Sequence, residues 1–495
     1  MDNYKTLEKV FRKLNDISTA QSVLHWDAAT VMPKGGAEAR ADQLATLSSL
    51  HHAILTDESL GELFDSAGKK GRKLNEWQKT NLLEMKRAYK HASAVPNKMI
   101  KDLSKAGSKC EMVWREARKE NDFKKLLPHL KDVVGIVREV AKIKGEAFGC
   151  SPYDALLDQY DPGRKSAQLD KVFDDLSGFL PSFIKEVVEK QKSKKLTELK
   201  GPFPIEIQKN ISRQLLDVVG FDLNHGRLDE SHHPFCGGYP GDIRITTRYD
   251  ENDFTSALMG VVHEAGHAMY EAGLPEKWRG MPVGEARGMS VHESQSLLVE
   301  MQACRSKEFA KFLLPILKKE FDVKGKGWSA ENLYGLFTKV EPSLIRVDAD
   351  EVTYPAHVML RYYIEKYIIS GDMEVEDLPD AWSQGMEKFL GIKPTDDKDG
   401  CMQDIHWMDG TFGYFPTYTL GAIYAAQLFA AAKSANKEVL PSIGKGDFSP
   451  LKDWLNKNIH QWGSKMPTDE LIKKATGSEL DLEVYKNHLK ERYLK

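Results

Sequence analysis

Phe254-Thr255-Ser256-Ala257-Leu258-Met259-Gly260-Val261-Val262-His263-Glu264-Ala265-Gly266-His267-Ala268-Met269-Tyr270-Glu271-Ala272-Gly273 is the stretch on which the fold turns. Phe254, Leu258, Val261, Ala265 and Met269 recur at helical spacing, and Gly273 offers a stop. The stretch therefore reads as a helix with one buried face. His263 and His267 stand one turn apart on it, so both imidazoles reach one metal ion. Glu264, beside the first histidine of this HExxH pattern, is placed to act as general base on an attacking water. The competing explanation for any buried histidine is a satisfied core residue. Two at i,i+4 with a glutamate between them, on a helix this apolar, favour metal, because buried charge is costly unless paired or coordinated.

Working outward, a loop rich in Gly and Pro runs from Gly273 to about Gly284, and a second helix is expected over about 286–313. It carries Val291-His292-Glu293-Ser294-Gln295-Ser296, and Glu293 follows His267 by 26 residues. That interval holds the end of one helix, a loop and the start of the next, so Glu293 is the expected third ligand of a zinc hydrolase. Glu300 lies two turns further along the same face. On the other side, Ile243-Arg244-Ile245-Thr246-Thr247-Arg248-Tyr249 is β-branched and alternating, and follows the turn-rich Cys236-Gly237-Gly238-Tyr239-Pro240-Gly241. A short hairpin or edge strand is expected there, either binding an extended peptide by strand addition or lying on the surface without a ligand.

The rest of the chain is dominated by helical periodicity. Leu7, Val10, Phe11, Leu14, Ile17 and Leu24 trace one apolar stripe, ended near Met32-Pro33, and further amphipathic runs cover about 38–65, 75–105, 110–147 and 168–192. The 495 residues contain no Pro/Gly/Ser-rich linker, low-complexity tract or clear repeat. One large domain, 1–495, built in two lobes is expected, with about 1–100 as an N-terminal helical lid region. A formal net charge of −3 gives no argument for nucleic acid or an acidic membrane, and neither is expected as a partner. Lys192-Ser193-Lys194-Lys195 and Lys69-Lys70-Gly71-Arg72-Lys73 read as solvated helix ends and loops. The five cysteines are scattered, odd in number and without CxxC spacing, and no run of about 18 apolar residues or signal-peptide core occurs. A cytoplasmic protein is expected, with no membrane association.

Six ordered motifs carry a family resemblance. They are His233-Pro234-Phe235, Asp242-Ile243-Arg244-Ile245-Thr246, the pentapeptide 263–267, His292-Glu293-Ser294-Gln295, Ile345 to Asp350 (IRxxAD) and Gly400 to Trp407 (GxxQDxHW). Trp26-Asp27 through Met32-Pro33 to Ala37-Glu38-Ala39-Arg40 matches as well. The chain resembles the carboxypeptidase Taq family of metallocarboxypeptidases over its whole length. The resemblance implies a mostly helical, neurolysin-like fold with a deep active-site groove and a small β-hairpin or sheet. It implies His263, His267 and Glu293 as metal ligands, Glu264 as catalytic base, and zinc with cobalt as a functional substitute. A homodimer is implied too, together with removal of single C-terminal amino acids from peptides with broad specificity.

Several further roles are expected. Tyr414, in the loop Gly413-Tyr414-Phe415-Pro416-Thr417-Tyr418, is the first candidate for stabilising a tetrahedral oxyanion, with His233 and His406 behind it; plain packing is the alternative for the tyrosine. Glu271, four residues after His267, is placed to accept that ligand's other ring N–H, or to face solvent. A free C-terminal carboxylate calls for a guanidinium. Arg346, which resembles the family's carboxylate-binding arginine, is the first candidate and Arg244 the second. Either could instead be locked in a pair, Arg346 with Asp350 or Arg244 with Asp242. Rival functions are a zinc oligopeptidase or dipeptidyl carboxypeptidase, and a helical peptide-binding protein with a relic metal site. A metzincin is excluded, because Tyr270 and Gly273 stand where that pattern needs Gly and His.

Overall fold

In a computed structural model, which describes residues 3–67 and 74–495, the apolar stripe of the opening segment becomes a single long helix, α1 (Asn3–Ala29). Tyr4, Leu7, Phe11 and Leu14 are buried against Leu60 and Phe64 of α3 (Ser59–Ala67) and Leu82 and Met85 of α4 (Glu76–Ser93). Each such side chain contributes about 1.5–3 kcal/mol on leaving water. The run expected over 38–65 is broken at Asp57, which accepts a hydrogen bond from Ser59 N (2.9 Å) and so starts α3 separately from α2 (Ala37–Leu55). The lysine-rich segment 69–73 lies outside the described residues.

The chain forms two compact units. The first holds the residues up to Ala92, then Leu196–Phe337 and Gly421–Tyr485; the second holds Ser93–Lys195, Thr338–Leu420 and Lys486–Lys495. In the second unit the expected runs 75–105 and 110–147 divide differently. α5 (Asn97–Glu120) starts after Pro96, since a residue before proline is kept out of helical conformation. It ends at Asn121, whose φ of 54° is left-handed, and Asp122 then caps α6 (Phe123–Phe148) by accepting from Lys125 N at 3.0 Å. The hydrophobic period runs through these breaks, so only the capping residues mark them. α7 (Pro152–Tyr160) and α8 (Ser166–Gln191) follow.

In the first unit α9 (Ile205–Val219) leads into a three-stranded sheet of order β1 (Gly226–Glu230), β3 (Asp242–Thr247), β2 (Cys236–Tyr239). β1 runs parallel to β3 with Leu228 opposite Ile245, and β2 runs antiparallel to it with Gly238 opposite Ile243. The strand legible in the sequence, β3, is therefore the central one and not an edge, and the glycine-rich β2 is one of the two edges. α1 lies along that edge, where Ser22 Oγ accepts from Gly238 N (2.9 Å). α10 (Phe254–Gly273) packs on β3 and is capped by Asp253, which accepts from Thr255 N (2.8 Å).

The helix expected over 286–313 is three pieces. α11 (Met289–Leu297) passes into a π-helical segment, Leu298–Cys304, and Ser306 caps α12 (Lys307–Glu320) by accepting from Phe309 N at 3.1 Å. π-Helical turns are rare and tend to stand at functional sites.

Candidate metal centre

α10 presents His263, His267 and Glu271 at i, i+4 and i+8, a polar stripe on a mostly apolar helix. α11 and the π-helical segment cross it and bring Glu293, His292 and Glu300 against the stripe. The crossing is close because Gly266 has no side chain. A Cβ built there would stand 2.6 Å from both the Gln295 carbonyl oxygen and Ser296 Cα. Behind Glu293, Gly421 leaves similar room: a Cβ there would lie 2.8 Å from Glu293 Cβ. Two glycines thus set the position of the expected third ligand.

His267 Nε2 lies 3.4 Å and His263 Nε2 3.9 Å from Glu293 Oε2. Ligand atoms of a tetrahedral site with bonds of about 2.0–2.1 Å stand roughly 3.3–3.4 Å apart, and the three ligand atoms here all lie within 4.8 Å of one another, close enough to share one ion. Among the described residues these three alone form a group of histidine, cysteine and carboxylate side chains able to hold a metal. Two imidazoles and a carboxylate suit zinc and neighbouring first-row ions. His263 keeps 22% of its side chain exposed, so the site is open to solvent on that side.

The outer nitrogens are engaged as well. His263 Nδ1 is 2.9 Å from Glu300 Oε2, and Arg305 Nη2 donates to Glu300 Oε1 (2.7 Å) while its Nη1 donates to the Phe337 carbonyl (3.0 Å). His267 Nδ1 is 2.6 Å from His292 Nδ1, and His292 Nε2 is 2.8 Å from Glu271 Oε1. Glu271 therefore reaches His267 only through His292. Gln295 Oε1 faces His460 Nε2 at 3.0 Å, which ties α11 to the C-terminal part of the unit.

The electrostatics follow from this packing. Burial opposes charge on His263, yet Glu300, Glu293 and Glu264 outweigh it and carry its pKa up to about 10. His267 is pushed down to about 4 by burial, with His292 and His263 adding to the effect. Burial also opposes the charge of Glu293, but His267 and His263 hold it down to about 2. Glu264, buried on α10, is raised to about 7 by desolvation, with Glu293 adding to the shift and His263 opposing it. Edge strand β2 packs on α10, and burial first, then Glu264 and Glu271, raises the Cys236 thiol.

The other expected residues fall into two groups. In the first unit His233 is exposed, its ring 4.5 Å from His232. Arg244 donates to Asp242 (3.0 and 2.9 Å) and lies 4.3 Å over Trp26, so the structural pair is the one formed. In the second unit Arg346 pairs with Asp404 and not with Asp350, donating to Asp404 Oδ1 from Nε (3.0 Å) and Nη2 (2.8 Å). Arg361 Nε donates to Asp404 Oδ2 (2.6 Å). Desolvation works against the Asp404 carboxylate, and the two guanidiniums hold it well below the usual range. Asp350 instead accepts from Glu341, Val352 and Thr353 backbone N–H groups. His406, lowered to about 4 by burial and then Arg346, lies among the rings of Tyr414, Phe415 and Tyr418, at 5.8, 4.5 and 6.4 Å. Arg346 stands 5.1 Å from the Tyr418 ring, which brings Arg346, His406 and Tyr414 into one aromatic cluster.

Comparison with known proteins decides the family. The model of the carboxypeptidase Taq (M32) metallopeptidases matches residues 6–493. The chain belongs to this family. Thermostable carboxypeptidase 1 of Thermus thermophilus is 38% identical over 99% of the chain and 98% of its own length, and carboxypeptidase 1 of Bacillus subtilis 36% over the same shares. The solved structure of metallocarboxypeptidase 1 from Trypanosoma cruzi is 41% identical with a TM-score of 0.97, covering 100% of this chain and 99% of that one. The protein is accordingly a metallocarboxypeptidase, mostly helical with one small sheet. No helix of the described residues is long and apolar enough to cross a membrane.

His292, Glu300, Arg305, Arg361 and Asp404 received no role from the sequence. A signal existed for Arg361: it ends the apolar run Val358-Met359-Leu360 within the helix Tyr354–Ser370, and a buried cation requires a partner.

Proposed function

We propose that the chain is a zinc-dependent carboxypeptidase that removes single C-terminal amino acids from peptides with broad specificity. The observation that carries this reading is the convergence of His263 Nε2 and His267 Nε2 on Glu293 Oε2, with Glu264 buried beside them. His263, His267 and Glu293 are the ligands. The metal, once bound, supplies electrophilic activation of water and of the scissile carbonyl. Glu264 accepts the proton of the attacking water on a carboxylate oxygen and delivers it to the leaving amine. Tyr414 is the proposed donor to the developing oxyanion, with His406 and His233 as the next candidates. Arg346 is the proposed anchor of the substrate's terminal carboxylate. Its support is the pinning of Nε and Nη2 by Asp404, which fixes the guanidinium plane and leaves Nη1 without a hydrogen-bond acceptor among the described residues. Arg244, already held by Asp242 and Trp26, is the weaker candidate.

The homodimer and the functional substitution of cobalt for zinc are supported by the family resemblance. A cytoplasmic location is supported by five cysteines that are all free. Elemental analysis of Glu264→Gln tests the central reading. One zinc per chain should remain while turnover falls by roughly 10²–10⁴. Retained turnover would remove Glu264 from its role, and absence of bound metal from the unmodified protein would remove the triad from its own.

A further inference from the structure

The two metal-facing imidazoles are backed in different ways. His263 Nδ1 meets a carboxylate, Glu300, itself fixed by Arg305. His267 Nδ1 meets another histidine nitrogen at 2.6 Å, and only beyond that ring does a carboxylate, Glu271, stand at 2.8 Å. Two nitrogens at 2.6 Å share one hydrogen between them. With His267 Nε2 offering its lone pair to a metal, its Nδ1 carries the hydrogen, so His292 Nδ1 must be the acceptor. A carboxylate accepts only, so His292 Nε2 carries the hydrogen given to Glu271. These contacts admit one arrangement with metal bound: Glu271 fixes the tautomer of His292, and His292 fixes that of His267.

We infer that His292 is a positioning residue whose Nδ1 lone pair keeps the His267 Nε2 lone pair directed at the metal, with Glu271 setting that tautomer. The inference rests on the metal reading of His263, His267 and Glu293. Geometry supports a dedicated role. Glu271 and His267 are neighbours on one helical face, yet they do not bond directly. His292 is inserted between them from the adjacent helix, next in sequence to the ligand Glu293 and packed 5.5 Å from the buried Tyr270 ring. The same short helix thus supplies a ligand and the group that orients another ligand.

The test is metal affinity, measured by competition of Zn²⁺ and Co²⁺ against a chelator, in the full-length protein and in His292→Asn, His292→Leu and Glu271→Ala. Asparagine places an acceptor oxygen where Nδ1 stood; leucine fills similar space with none. Loss of a group that orients a metal ligand typically costs 10–100-fold in affinity. The expected result is a 10–100-fold loss in His292→Leu, a smaller loss in Glu271→Ala, and retention within about threefold in His292→Asn. The visible spectrum of bound Co²⁺ should shift in His292→Leu and stay near that of the unmodified protein in His292→Asn. Wild-type affinity in His292→Leu, or equal loss in both His292 variants, would overturn the inference, since packing alone does not distinguish an acceptor. Should His292→Leu fail to fold, full affinity in Glu271→Ala together with a large loss in His292→Asn would overturn it equally. An unmodified protein that binds neither ion would instead overturn the metal reading itself.

Discussion

Gly266→Ala puts the crossing of α10 and α11 to a quantitative test, because two effects of opposite sign compete at one methyl group. Alanine in a helix interior is favoured over glycine by about 1 kcal/mol. Against this, the new Cβ would stand 2.6 Å from Ser296 Cα and from the Gln295 carbonyl oxygen, both backbone atoms. Ordinary contact begins near 3.4 Å, so α11 must retreat by about 0.8 Å or α10 must bend. Overpacking of a well-filled interior costs typically 1–3 kcal/mol, and backbone on the far side leaves no flexible side chain to give way. The net expectation is destabilisation by about 0–2 kcal/mol, with the larger effect on function. A retreat of that size carries Glu293 away from His267 Nε2, now 3.4 Å from its Oε2. Disturbing the placement of a metal ligand typically costs about 10–100-fold in affinity. The assay is metal affinity by chelator competition beside the urea unfolding midpoint of the metal-free protein. A variant with unchanged affinity and a raised midpoint would refute the claim that Gly266 sets the ligand distance.

Gly421→Ala acts on the same carboxylate from the opposite side, since its Cβ would stand 2.8 Å from Glu293 Cβ; metal affinity should again fall by about 10–100-fold, read by the same competition. Glu300→Ala leaves His263 Nδ1 without its acceptor and Arg305 without its carboxylate, and should weaken metal binding by about 10–100-fold. The Asp404 carboxylate is held below its ordinary value, so its contribution to stability is fully present above about pH 4 and is lost as pH falls through the folded-state value. Asp404→Asn should remove that part of the acid sensitivity and cost about 3–5 kcal/mol at neutral pH, because Arg346 and Arg361 lose their shared counter-charge; urea unfolding at a series of pH values checks both. Metal removal should lower thermal stability by about 2.7 kcal/mol relative to a protein held at a hundredfold excess over Kd, and adding metal back should restore it.

The sequence carried the helical class, the HExxH helix and the reach to Glu293, since these rest on periodicity and on i,i+4 geometry. Helix boundaries were less legible. Asn121 in a left-handed conformation and the caps Asp57 and Ser306 interrupt hydrophobic periods that continue across them. β1 was missed because its Gly226–Glu230 segment is short, charged and without an apolar alternation. The groups behind the proposed ligands were hidden for a different reason. The His292 contact with His267 and the Arg346–Asp404 pair join residues 25 and 58 apart, and nothing local in either segment predicts the meeting. Arg244 shows the converse case: Asp242, two residues away in its own motif, is its partner, a pairing the sequence left open.

The most direct test of carboxypeptidase action is a mass-spectrometric time course on one unstructured peptide, offered with a free and with an amidated C-terminus to the zinc-loaded enzyme. A ladder losing one residue at a time from the free form alone is the predicted result. Internal cuts, two-residue steps or equal cleavage of both forms would contradict it.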